Sequence, residues 1–159
     1  MDHRGYSLVE MTAVIGIMAI LLAVGTLRFR DYFRNYQVES QARGIQADIM
    51  RGKAAAIYQR RPVRVKVYPT RLETYSTTTD RDGGAEPVAA RVLSYPVVQS
   101  KSGNVVDFDE TGTTENERTI CTTGGEGAAV DSVVVGNIRV RIGKLASGSD
   151  CHGENVTSR

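Results

Sequence analysis

The chain of 159 residues has no tryptophan, three phenylalanines, four prolines, two cysteines and two histidines. His3 stands at the opposite end of the chain from Cys121, Cys151 and His152. Cys151 and His152 make a single metal-type pair, which is weak evidence for zinc, a metal that wants four ligands, or three and a water. Neither cysteine belongs to a C-x-x-C pair, so a Cys121–Cys151 disulfide is the preferred reading, and it implies an oxidising compartment outside the cytoplasm. No G-x-S-x-G, P-loop or H-E-x-x-H motif occurs, so the sequence offers no catalytic constellation and no cofactor is expected. The net charge of +2 is too small to name a partner. The first proline is Pro62, so no proline interrupts a helix before it.

What is present at the N-terminus is apolar. From Tyr6 to Leu27 the only formal charge is Glu10. As a helix this stretch would measure about 33 Å, near the hydrocarbon thickness of a bilayer. The run is too long for the core of a secretory signal peptide, and Arg28-Phe29-Arg30-Asp31-Tyr32 follows it with no small-residue cleavage site. A carboxylate inside a membrane span costs roughly 2.5–3.5 kcal/mol on insertion scales, so such residues usually have partners. Glu10 reads equally as a residue of the headgroup layer.

The leader Met1-Asp2-His3-Arg4 ends in Gly5, and Tyr6-Ser7-Leu8-Val9-Glu10 follows before the apolar run. This resembles the prepilin signature of type IV pilins and type II secretion pseudopilins. The resemblance implies cleavage after Gly5 by a membrane-bound prepilin peptidase and methylation of Tyr6 as the new N-terminus. It also gives Glu10 a role in filament assembly, neutralising the terminal amine of a neighbouring subunit. Tyr6 departs from the usual phenylalanine or methionine. Leu27 stands near the place of a proline that kinks the helix of many major pilins, which favours a minor subunit. The expected organisation is a leader over residues 1–5, a transmembrane and assembly helix over 6–27, and a periplasmic or extracellular head over 28–159. Arg28, Arg30 and Arg34 against Arg4 would by the positive-inside rule place the head in the cytoplasm; the resemblance and the cysteines place it outside.

Beyond the apolar run the helix is predicted to continue to about Gln59. Phe29, Tyr32, Phe33 and Tyr36 recur at spacings of three and four, and Ile45, Ile49, Ala56 and Ile57 keep one face apolar. Gly44 and Gly52 weaken this helix, and Arg60-Arg61-Pro62 ends it. From Pro62 the period becomes two. Strands are predicted at residues 63–67, 72–76, 91–98, 104–108 and 118–122, and a hairpin joins Ser132–Val135 to residues 138–142 through a two-residue Gly136-Asn137 turn. The tail from Ala146 is polar and would be loose unless Cys151 pins it. The fold class is α+β: a long N-terminal helix whose second half packs on an antiparallel sheet or sandwich. The helix-then-strands order, with Arg51-Gly52-Lys53-Ala54-Ala55-Ala56-Ile57 running into Pro62-Val63-Arg64-Val65, resembles minor pilins and pseudopilins of the GspH/FimT group.

Two charged groups remain. Asp107, Asp109 and Glu110 form an acidic turn without the spaced ligands of an EF-hand loop. Arg139 and Arg141 share a strand face with Lys144 just beyond, and Arg64 with Lys66 forms a second pair; if these strands adjoin, they make a basic stripe able to contact phosphates. The resulting reading is a non-catalytic minor pilin or pseudopilin. Its partners are other subunits, the peptidase and the inner membrane, and its destination is a pilus or pseudopilus. A DNA-binding pilin for uptake, and an anchored domain that never assembles, are the alternatives.

Overall fold

A computed structural model describes residues 7–158, and their side chains except those of residues 24–28. Gly5 and Tyr6, with the expected cleavage site, lie outside the described residues. Helix α1 runs Leu8–Gln59. The described residues fall into two units that divide between Arg34 and Asn35.

In the first unit the side chains of residues 7–23 are exposed, among them Leu8, Ile15, Leu21 and Leu22. Phe29 and Phe33, one helical turn apart, stack with ring centroids 6.2 Å apart. Among the described residues no helix is long and apolar enough to cross a membrane. Residues 7–23 would measure about 26 Å, short of the ~30 Å core of a bilayer. The expected span of 6–27 continues beyond them at both ends.

In the second unit α1 buries a narrow stripe: Val38, Ala42, Ile45, Ile49 and Ala56 are fully enclosed. Their spacing of three and four continues through Gly52. Each buried isoleucine contributes about 1.5–3 kcal/mol. Ile57, expected on this face, is half exposed, because the stripe turns away from it by the last turn. Gly52 does more than weaken the helix. A Cβ there would stand 2.9 Å from Val65 Cγ2, so its absence sets how closely α1 approaches the sheet.

The helix ends as a Schellman motif. Arg61 N–H donates to the Ala56 carbonyl at 3.3 Å and Arg60 N–H to that of Ile57 at 3.4 Å, with Arg60 in the left-handed region at φ 48°. An arginine is strained there, and Arg60→Gly is expected to stabilise the head by about 0.5–1 kcal/mol. A urea melt with unchanged slope and no higher midpoint would refute this.

Among the described residues nine strands follow: β1 Val63–Val67, β2 Arg71–Tyr75, β3 Ala89–Val92, β4 Val97–Gln99, β5 Val105–Phe108, β6 Arg118–Thr122, β7 Ser132–Val135, β8 Val140–Leu145 and β9 Val156–Ser158. They form two antiparallel sheets, β3-β2-β1-β5 and β4-β6-β7-β8-β9. One core joins Ile45, Ile49 and Ala56 of the helix to Val65 and Phe108 of the first sheet and Ile120 and Val133 of the second.

The single strand expected over residues 91–98 is two strands, one in each sheet. Between them Tyr95 is held to the helix: its N–H donates to Gln41 Oε1 at 3.0 Å, its carbonyl accepts from Gln41 Nε2 at 2.8 Å, and its hydroxyl donates to Gln37 at 2.8 Å. The hairpin register also differs. Val135 pairs with Val140, so residues 136–139 form the connection and β8 extends to Leu145. Other segments hold the expected start of that strand. Asn137 donates to Glu117 and accepts from Thr114 N–H, and the Ile138 carbonyl accepts from Lys53. The tail is ordered too, as a 3-10 turn at Gly153–Asn155 and then β9.

Candidate functional site

At the helix start, Ser7 and Glu10 hold one another. Glu10 N–H donates to Ser7 Oγ at 3.2 Å, and Ser7 N–H donates to Glu10 Oε2 at 2.9 Å. This is a capping box, legible in the sequence as Ser-x-x-Glu and absent from the membrane reading of Glu10. The carboxylate therefore has a neighbour within its own chain through one oxygen.

Cys121 and Cys151 form a disulfide between residues 30 apart. Cys121 lies on β6, opposite Val98 of β4, and is buried. The bond fixes the segment between β8 and β9 against the second sheet.

The five basic residues expected to form a stripe are not brought together. Arg64 and Lys66 lie on β1 in the first sheet, and Arg141 and Lys144 on β8 in the second; Arg139 precedes β8. Within β8 successive side chains alternate, so Lys144 leaves the face opposite Arg141. Lys144 Nζ is 2.7 Å from Asp131 Oδ2. Arg139 and Arg141 are exposed, with Arg141 donating to Ser158 Oγ at 3.3 Å.

Arg64 and Lys66 are committed elsewhere. The connection between β2 and β3 carries Asp80, Arg81 and Asp82 over the outer face of the first sheet. Arg64 makes a two-pronged pair with Asp107 at 2.7 and 2.8 Å and reaches Asp80 at 3.1 Å. Lys66, 5% exposed, lies 2.9 Å from both Asp80 and Asp82. Glu73, 2% exposed, accepts from the Tyr75 hydroxyl at 2.6 Å and from Arg71 at 2.9 Å. Hydrogen bonds to Asp80 and Asp82 raise Lys66 above the ordinary lysine range against the opposing effect of burial, and Asp107 does the same for Arg64. Burial pushes Glu73 up, but Tyr75, Arg71 and Arg81 together hold it below the usual carboxylate range. Arg64 and Lys66 are paired with the buried Asp80 and with the more exposed Asp107 and Asp82, and are not a free phosphate-binding surface.

The network gives an acid-sensitivity prediction. The hydrogen bond from Lys66, then that from Arg64, hold Asp80 at about 2 against burial. A carboxylate depressed in the folded state stabilises above its unfolded pKa of about 3.9, and that stability is lost as pH falls toward the folded value. Asp80→Asn is expected to lower the melting temperature at pH 7 and to flatten its fall between about pH 4 and 2. Asp109, also held at about 2, titrates in the same window, so the slope is reduced rather than abolished. Melts of both proteins with parallel pH dependence would contradict the assignment.

The acidic turn is likewise closed on itself. Asp109 accepts from the backbone and hydroxyl groups of both Thr111 and Thr113 at 2.7–2.9 Å. Among the described residues no cluster of His, Cys, Asp and Glu could hold a metal ion.

No sequence-family model matches the chain, and no curated protein matches it. Solved structures do. The type IV minor pilin FimU of Pseudomonas aeruginosa is similar at a TM-score of 0.57 and 14% identity, over 70% of this chain and 91% of FimU. The minor pseudopilin EpsH of the Vibrio cholerae type 2 secretion system is similar at a TM-score of 0.53 and 16% identity, over 71% of this chain and 99% of EpsH. At such identities the likeness is one of fold. This chain therefore has the fold shared by a type IV minor pilin and a type 2 secretion minor pseudopilin.

Proposed function

We propose that the protein is a non-catalytic minor pilin or pseudopilin subunit. It is made as a single-pass inner-membrane precursor with its head in the periplasm, cut after Gly5 and incorporated in a type IV pilus or a type II secretion pseudopilus. The observation that carries this reading is the exposed apolar start of α1, bearing the single carboxylate Glu10, on a chain with a minor-pilin fold. Exposed leucines and isoleucines over several helical turns need lipid or neighbouring helices to cover them. The Cys121–Cys151 bond fits an oxidising compartment. Uptake of DNA is the weaker reading, because the cations expected to form one stripe are divided between two sheets and partly neutralised.

The test is the intact mass of the protein from filaments sheared off its native host. The expected mass lacks residues 1–5 and carries a methyl group on Tyr6. A charged replacement such as Gly5→Arg is expected to leave the precursor uncut and absent from filaments. Assembled protein that retains residues 1–5 would overturn the proposal.

A further inference from the structure

β3 is one of the two edge strands of the first sheet, and all four of its residues are exposed. Arg91 is opposite Leu72 and Ala89 is opposite Thr74 on β2, and Leu93 N–H donates to the Thr70 carbonyl at 2.8 Å. Bonding in an antiparallel pair alternates, so Ala89 and Arg91 bond to β2. Ala90 and Val92 turn their amide and carbonyl groups to the open side. Natural edges are usually guarded by lysine, proline or a covering segment. Residues 89–92 hold no lysine or proline, Pro87 standing two residues before them, and their one charge, Arg91, is drawn back to Asp48 on α1. Val88 and Val92 are 65% and 85% exposed.

Between this edge and α1 lies a groove of about 440 Å³, lined by Gly52, Ala55, Leu72, Thr74 and Ala89. These small side chains leave the layer between helix and sheet unfilled at the β3 side. The charged groups at the groove sum to a positive charge: the single Asp48 carboxylate of α1 is shared by Arg51 of α1, at 2.8 Å, and Arg91 of β3. Arg51 keeps 75% of its side chain in solvent.

An edge with unmet amides and carbonyls at alternate positions fits an extended chain. The groove takes the alternate side chains of such a chain, and the surplus guanidinium charge selects a carboxylate among them. We propose that β3 accepts a strand from a partner protein, an extended acidic segment whose apolar side chains enter the groove and whose carboxylate meets Arg51. This surface lies wholly within the second unit and does not depend on processing or membrane insertion.

The test uses the full-length chain in detergent and a fluorescein-labelled peptide of repeating Val-Thr-Glu-Thr, which puts valine and glutamate on one face of a strand, with a lysine-for-glutamate peptide as its control. Saturable anisotropy binding of the acidic peptide is expected, with hydrogen-exchange protection at Ala90 and Val92. Ala90→Pro, which removes an outward amide that β2 does not use, is expected to weaken binding by about tenfold or more. Arg51→Glu, on the exposed helix surface, is expected to weaken it several-fold and serves if the proline variant fails to fold. Absence of saturable binding, equal binding of the lysine peptide, or full binding by both variants would overturn the proposal. Concentration-dependent self-association that Ala90→Pro abolishes would overturn it too, by making a second copy the occupant.

Discussion

Cys121→Ser is expected to destabilise the head by at least about 3–4 kcal/mol, the loop-closure entropy of a cross-link of this span. For a unit of the size of Asn35–Arg159 that corresponds to a fall in melting temperature of about 10 °C or more. The loss acts in two places. The unfolded chain regains the freedom of the closed loop, and in the folded head the polar segment before β9 keeps only its own bonds. Those bonds are local to the segment: Ala146 N–H to the Asn155 carbonyl at 2.9 Å, Ser149 N–H to that of Ala146 at 3.1 Å, His152 N–H to that of Asp150 at 2.8 Å, Asn155 N–H to that of His152 at 3.0 Å, and Asn155 Nδ2 to the Asp150 carbonyl at 3.0 Å. A serine at the buried position 121 adds the cost of a desolvated hydroxyl, about 1–3 kcal/mol where it finds no acceptor. Reduction of the wild-type head by a thiol separates the two contributions, since it breaks the bond without adding the hydroxyl. Denaturation curves should rank oxidised wild type above reduced wild type, with Cys121→Ser lowest. Equal midpoints for the oxidised and reduced heads would show that the bond contributes nothing to stability.

Glu10→Leu and Glu10→Gln are both expected to fold, insert and then fail to join filaments, with recovery in sheared filaments falling about tenfold or more. The pair of variants is needed because Glu10 caps the helix as well as carrying the proposed assembly role, and a single substitution would confuse the two. Leucine removes both the charge and the capping box with Ser7. Glutamine keeps a side-chain acceptor for Ser7 N–H and removes only the charge. If assembly depends on a carboxylate facing the amine of a neighbouring subunit, both variants fail alike. If glutamine is incorporated as well as wild type, Glu10 serves as a helix cap and the assembly role is wrong. The capping contribution alone is about 1 kcal/mol at one end of a long helix, too little to prevent the rest of α1 from forming.

The sequence by itself determined the features governed by near neighbours. The absence of proline before Pro62, the three-and-four spacing of Phe29, Tyr32, Phe33 and Tyr36, and the apolar face kept by Ile45, Ile49 and Ala56 specify one helix ending near Gln59. The alternation of Val63, Val65 and Val67 specifies β1, and a turn at Pro69-Thr70 brings β2 against it. Two lone cysteines with no metal-type partners led to the pairing that the head contains. Tertiary structure decided what depended on distant residues. Gln37 and Gln41 on the helix hold Tyr95, which divides residues 91–98 between two sheets. Glu117, Thr114 and Lys53 occupy Asn137 and Ile138, which moves the start of β8 to Val140. The fate of the basic residues was decided in the same way. A period of two places Arg64 and Lys66 on one face, but only the fold brings Asp80, Asp82 and Asp107 onto that face. Whether a cation is free or paired is a matter of which carboxylates lie within about 4 Å, and alternation along a strand carries no record of them.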